Sequence, residues 1–140
     1  MALPLSLANF LERDRGEKRA FLAALFWISY FRLLLPRARL GRLLQRADDI
    51  SERKLGLMAE EKLTAPQVSW ALSRASQLVP GATCLVQALA GKVVFSLAGY
   101  ESTVKMGVRK DEDEGIGAHA WLISGREVVV GARPDLDAYV

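Results

Sequence analysis

The apolar pattern of this chain changes period once, and late. Up to Leu97 hydrophobic residues recur at helical spacing, and after Gly99 they alternate in twos. Helices followed by strands make an α+β fold the expectation. At 140 residues the length fits one domain and suffices to bury a core. The division expected is an N-terminal helical region over 1–62 and a core over 63–140, joined in one compact unit.

Breaking and capping residues mark the elements. Leu5 to Leu11 reads as a short opening helix, and Glu17 to Leu35 as a strong one. Pro36 ends the latter, because its ring and missing N–H cannot continue the ladder. Leu40, Leu43 and Leu44 share one face of a third helix, Leu40 to Ala47, and the charged stretch Asp48 to Lys62 reads as linker with some helix. Thr64-Ala65-Pro66 is a cap with a first-turn proline, opening a helix to about Leu78 with Val68, Ala71, Leu72, Ala75 and Val79 inward. Pro80-Gly81 breaks it, and Thr83 caps the next helix, whose first residue is Cys84. Leu85, Ala88, Leu89, Val93 and Leu97 form the expected inward stripe before Gly99 ends it. Strands are expected at Thr103 to Val108, Ala118 to Ile123 and Glu127 to Val130, with an acidic loop from Lys110 to Gly117 and an irregular tail from Ala132 to Val140.

Charge and composition remove several function classes. A net charge of +3 does not argue for nucleic acid. The arginines crowd the first half, where a solvated helical face explains them more simply than an acidic partner or a membrane surface does. The run Ala20 to Phe31 is bounded by Arg19 and Arg32, short of the ~20 apolar residues a membrane span needs. A core or partner-facing helix is expected there, with peripheral membrane contact as the alternative. No secretion signal is read at the N-terminus, so the cytoplasm is the expected compartment. One cysteine excludes an internal disulfide, and one cysteine with one histidine cannot supply a zinc quartet, so neither metal nor cofactor is expected.

That single cysteine, Cys84, and single histidine, His119, carry the chemistry. A thiol at the first turn of a helix meets exposed N–H groups and the positive end of the helix dipole, which favour a thiolate. The same N–H groups can hold an oxyanion. His119 lies in the strand-like run Ala118-His119-Ala120-Trp121, where an imidazole can take the thiol proton and return it to a leaving amine. An inert core cysteine and a packed sheet histidine are the plainer readings of each residue alone.

Cysteine at a helix start, then histidine on an antiparallel strand, then an acid beyond it, is the order of papain-like and transglutaminase-like cores. In such a core the cysteine helix packs on a small antiparallel sheet. More narrowly, the chain resembles the leader peptidases of lasso-peptide biosynthesis, within the transglutaminase-like superfamily. The resemblance rests on the arginine- and leucine-rich helices before Pro36, on Cys84-Leu85-Val86-Gln87-Ala88-Leu89-Ala90 and on Lys105-Met106-Gly107-Val108. It rests further on Ala118-His119-Ala120-Trp121 and on the ending Val130-Gly131-Ala132-Arg133-Pro134-Asp135-Leu136.

The resemblance implies a cytosolic cysteine peptidase that cuts the leader from a ribosomally made precursor, after which an ATP-dependent lasso cyclase closes the ring. The precursor, a separate leader-binding protein (a RiPP recognition element) and the cyclase are the implied partners. Relatives carry an acid at the end of the last strand, where this chain has Gly131 and Ala132. Asp135 is the nearest acid beyond and takes the third catalytic role on this reading, although a turn aspartate after Pro134 explains it equally. The missing acid motivates a competing expectation, a non-catalytic scaffold that binds leader or cyclase. Acyl transfer to an amine through the same thioester is a third.

Overall fold

Small residues on one side of the first helix let the chain close around it. The computed structural model describes residues 15–111 and 115–132. Within it α1 (Arg15–Leu34) buries Gly16, Ala20, Ala24, Ile28 and Phe31, a stripe at three- and four-residue spacing. Its other side exposes Leu22, Phe26 and Leu33 to 56, 60 and 65%. By length and composition alone the segment Arg15–Arg37 could cross a membrane, a longer stretch than the apolar run suggests because the helix continues through Arg32. The buried stripe is what a core helix needs. Pro36 falls in a 3-10 turn, Leu35–Arg37, where the helical ladder stops.

α2 (Leu40–Arg53) runs past Ala47, where the linker was expected to begin. Leu43, Ala47 and Ser51 are buried at four-residue spacing, and that stripe carries the charged residues from Asp48 onward as the solvated side of one helix. α3 (Ala65–Ser76) starts in a reciprocal capping box. Gln67 N donates to the Thr64 hydroxyl at 3.3 Å, and Thr64 N donates to the Gln67 side chain at 2.8 Å. Val68, Ala71, Leu72 and Ala75 form its buried face.

α4 (Cys84–Leu97) departs from a one-sided stripe. Every residue from Ala88 to Leu97 except Lys92 is buried, because α1, α2, α3 and the sheet all pack against it. A helix apolar on all sides belongs at the centre of a fold, not on its surface. Ser96 Oγ donates to Ser51 O and so ties α4 to α2.

The chain then folds into β1 (Thr103–Asp111), β2 (Gly115–Ser124) and β3 (Glu127–Val130), an antiparallel sheet in the order β1-β2-β3. The acidic loop is shorter than expected, since pairs Arg109↔Gly117, Lys110↔Ile116 and Asp111↔Gly115 continue the ladder. Backbone pairing extends a hairpin whatever the side-chain pattern, which is why alternation alone ended these strands early. The pairing steps from Leu122↔Val130 to Ile123↔Val128, so Val129 is an extra residue that bulges β3.

One apolar cluster joins all these elements, running from Ala20 on α1 to Leu122 and Val130 on the sheet. A Cβ added to Gly91 would stand 3.0 Å from Val130 Cγ2 and 3.1 Å from Leu122 Cδ2, so the sheet lies directly on α4 at that glycine. Ser69 Oγ donates to Val129 O at 2.8 Å and fastens α3 to the same sheet edge.

Candidate active site

Three contacts build the turn before Cys84. Gly81 has φ +76°, the left-handed conformation glycine takes without strain. The Arg32 side chain lies against Gly81, and its Nε donates to Pro80 O at 3.2 Å, linking the end of α1 to this turn. Val86 N then donates to the Thr83 hydroxyl at 3.3 Å, and Gln87 Nε2 donates to Ala82 O at 2.8 Å. Thr83 is thus the N-cap and Cys84 the first residue of α4, a free thiol in a half-buried position. A sulfur placed there sits at the end of the helix where unsatisfied N–H groups concentrate positive charge.

His119 stands in β2 opposite Gly107 and is 8% exposed. Its Nε2 is 2.8 Å from the carbonyl oxygen of Gly131, just beyond β3. Its ring stacks on Trp121, with centroids 5.8 Å apart and planes 20° from parallel. Gly131 has φ +80°, and a Cβ there would stand 2.9 Å from Ala120 O and 3.2 Å from Trp121 Cβ. A side chain at the position where an acid was expected would therefore collide with the β2 backbone.

The two residues lie at one end of the α4–sheet contact. Gly91 touches Leu122, while Ser96 shares a cleft with Ile123 and Gly125, so β2 runs in the same sense as α4. Seven residues back along α4 is about 10 Å, and three residues back along β2 is also about 10 Å. By this count Cys84 and His119 fall toward the same end of the contact between α4 and β2. The pleat adds a constraint: Ala120 and Leu122 face the core, and His119 and Trp121 project to the alternate side of the strand. The imidazole reaches the end of β3 through its contact with the Gly131 carbonyl.

Asp135 lies outside the described residues. Glu127, the acid on the last strand, is exposed and pairs with Ser124. That is five residues along β2 from His119, about 17 Å. The residue that sequence reasoning missed is Gly131. A glycine ending a strand often marks a left-handed turn, and that signal was present, but it does not reveal where a carbonyl points.

A separate cleft of about 550 Å³ lies between α2, α4 and β1, lined by Asp48, Ser51, Lys92, Ser96, Tyr100 and Lys105 among others. Lys92 is paired with Asp48 at 2.8 Å and donates to Ser102 O at 3.1 Å. It stands eight residues along α4 from Cys84, about 12 Å, so this cleft is not the surroundings of the thiol. Among the described residues no group of three or more His, Cys, Asp or Glu is arranged to hold a metal ion.

No curated protein and no solved structure matches the chain. The family comparison does match, under the description transglutaminase-like superfamily, over residues 20–140, a span that includes all four described helices except the start of α1, and all three strands. The chain belongs to the transglutaminase-like superfamily.

Proposed function

We propose that this protein is a cysteine peptidase that removes the leader from a lasso-peptide precursor. The superfamily includes cysteine peptidases. The observation that carries the reading is the sole cysteine at the capped N-terminus of α4, the helix against which the histidine-bearing strand β2 packs. The motif resemblance around Cys84, His119 and Val130 supports the narrower substrate.

In this mechanism the Cys84 thiol gives its proton to the His119 imidazole as sulfur attacks the scissile carbonyl carbon. The first N–H groups of α4 receive the developing oxyanion. The carbon–nitrogen bond then breaks, and the imidazolium passes its proton to the departing core-peptide amine. A leader thioester remains on Cys84. Water, deprotonated by His119, hydrolyses it and restores the thiol. Asp135 is the carboxylate proposed to assist the imidazole. The proposed partners are the precursor, a separate leader-binding protein and an ATP-dependent cyclase acting on the freed amine, all in the cytoplasm.

The test is cleavage of a precursor peptide by the purified protein together with its leader-binding protein. Wild-type protein should release the leader, and Cys84→Ala and His119→Ala should not. Equal cleavage by wild type and Cys84→Ala would overturn the reading. Gly131 and Ala132 in the place of the expected acid favour one competitor, a scaffold that holds leader or cyclase without cutting. Leader binding by wild type with no cleavage in the complete mixture would select it.

A further inference from the structure

We propose that the outer face of α1 docks on an anionic lipid surface, so that the helix lies in the plane of a membrane with the rest of the fold above it. The proposal concerns where the protein sits, and it holds whether or not Cys84 cuts a peptide.

α1 carries more apolar surface than the core takes up. Gly16, Ala20, Ala24, Ile28 and Phe31 turn inward, yet only 22% of the apolar 18-residue stretch within Arg15–Arg37 is buried. Leu22, Phe26 and Leu33 are more than half exposed, and with half-buried Ser29 they follow one another at spacings of four, three and four. Those spacings confine the four residues to about 60° of the helix circumference. No charged residue interrupts the sequence from Ala20 to Phe31. A helix packed on one side normally turns polar residues to water on the other, so an apolar outer stripe marks an interaction surface.

Charge indicates what covers it. Arg15, Lys18 and Arg19 precede Leu22 by seven, four and three residues and so continue the same side through the first turns. Arg37 and Arg39 are exposed just past the other end. From Arg15 to Leu40 the one acid is Glu17, which is buried and accepts from Gln67 Nε2 at 3.0 Å. Arg19 pairs with Glu61 at 2.6 Å, and its side chain is still 56% exposed. A second copy of the chain, laid α1 against α1, would bring cations to a face whose own helix exposes no acid, a costly juxtaposition. Anionic phospholipid suits both features. Its headgroups take the cations at the two ends, and the boundary with the acyl chains takes Leu22, Phe26 and Leu33. The opposite side of α1 is packed on α3 and α4, so the helix lies on the bilayer and does not cross it.

Co-sedimentation of the purified protein with lipid vesicles tests this. Vesicles of mixed phosphatidylglycerol and phosphatidylcholine should bind wild type about tenfold more than vesicles of phosphatidylcholine alone. The variant Leu22→Gln/Phe26→Gln/Leu33→Gln changes only exposed positions and keeps good helix formers, so it should melt like wild type while losing about tenfold in binding to the anionic vesicles. Arg15→Gln/Lys18→Gln should lose most of the preference for them. Failure of wild type to bind anionic vesicles overturns the proposal whatever the variants do. Equal binding by wild type and the triple variant overturns it too, as does equal binding to both kinds of vesicle. A wild-type dimer that the triple variant breaks, with no vesicle binding, would assign the face to a second copy instead. Capture of the leader-binding protein through this face, again with no vesicle binding, would assign it to a protein partner. Precursor cleavage without vesicles should be the same in wild type and the triple variant, so either reading can fail while the other stands.

Discussion

His119 Nε2 and the Gly131 carbonyl oxygen are 2.8 Å apart across the β2–β3 junction, twelve residues apart in sequence. The contact joins a side chain on the middle strand to backbone that only glycine accommodates well, so the two positions stand or fall together.

Gly131→Ala should therefore cost stability. A non-glycine residue forced into the left-handed region, with its Cβ against Ala120 O, is expected to lose about 2 kcal/mol. Urea unfolding monitored by tryptophan fluorescence checks this. A variant as stable as wild type would mean that the turn relaxes freely.

Thr83→Ala and Thr64→Ala form a matched pair. Each removes a side-chain cap from a helix start, and each should cost about 1 kcal/mol. Only Thr83 begins the helix that carries Cys84. Iodoacetamide should accordingly label Cys84 several-fold more slowly in Thr83→Ala, as the backbone N–H groups around the sulfur lose their arrangement, while Thr64→Ala labels at the wild-type rate. Equal rates in both variants would show that the cap does not tune the thiol.

Gly81→Ala should perturb the turn before Cys84 from two directions. Its φ of +76° disfavours a side chain, and the Arg32 guanidinium occupies the space a methyl would enter. We expect a loss of about 1–2 kcal/mol. Arg32→Ala opens the space, so the double variant Arg32→Ala/Gly81→Ala should lose less than the sum of the two single changes. Strict additivity in urea unfolding would show that the clash plays no part.

Gly91→Val tests the contact between α4, which begins at Cys84, and the sheet that carries His119. Its side chain would meet Val130 and Leu122 within van der Waals distance and force the sheet from α4. A destabilisation of about 3 kcal/mol is expected. Wild-type thermal stability would mean that the sheet can retreat without cost.

Much of this arrangement was legible in the sequence, for identifiable reasons. Thr83, Pro80 and Gly81 act through local backbone chemistry, so the start of α4 at Cys84 could be located from a few residues. Val68, Ala71, Leu72 and Ala75 repeat at helical spacing and do form the buried face of α3. Reasoning failed where tertiary contact decides. Asp48 to Arg53 is helical because Ser51 packs against α4, which its charged neighbours conceal. The single inward stripe assigned to α4 was too narrow, because the number of elements surrounding a helix is not written in that helix. The contact of Gly131 with His119 was hidden for a different reason: side-chain chemistry was sought at a position where main chain supplies the contact.

The burial of α4 on every side has a further outcome for how the molecule breathes. Local openings release the least enclosed segments first, and the most enclosed last. Amide protons in the middle of α4 should thus be the slowest in the chain to exchange with deuterium, outlasting those of α1 and of the β1–β2 hairpin. The sulfur stands at the first turn of this helix, so the segments around it can open while the enclosed middle of the helix keeps its shape.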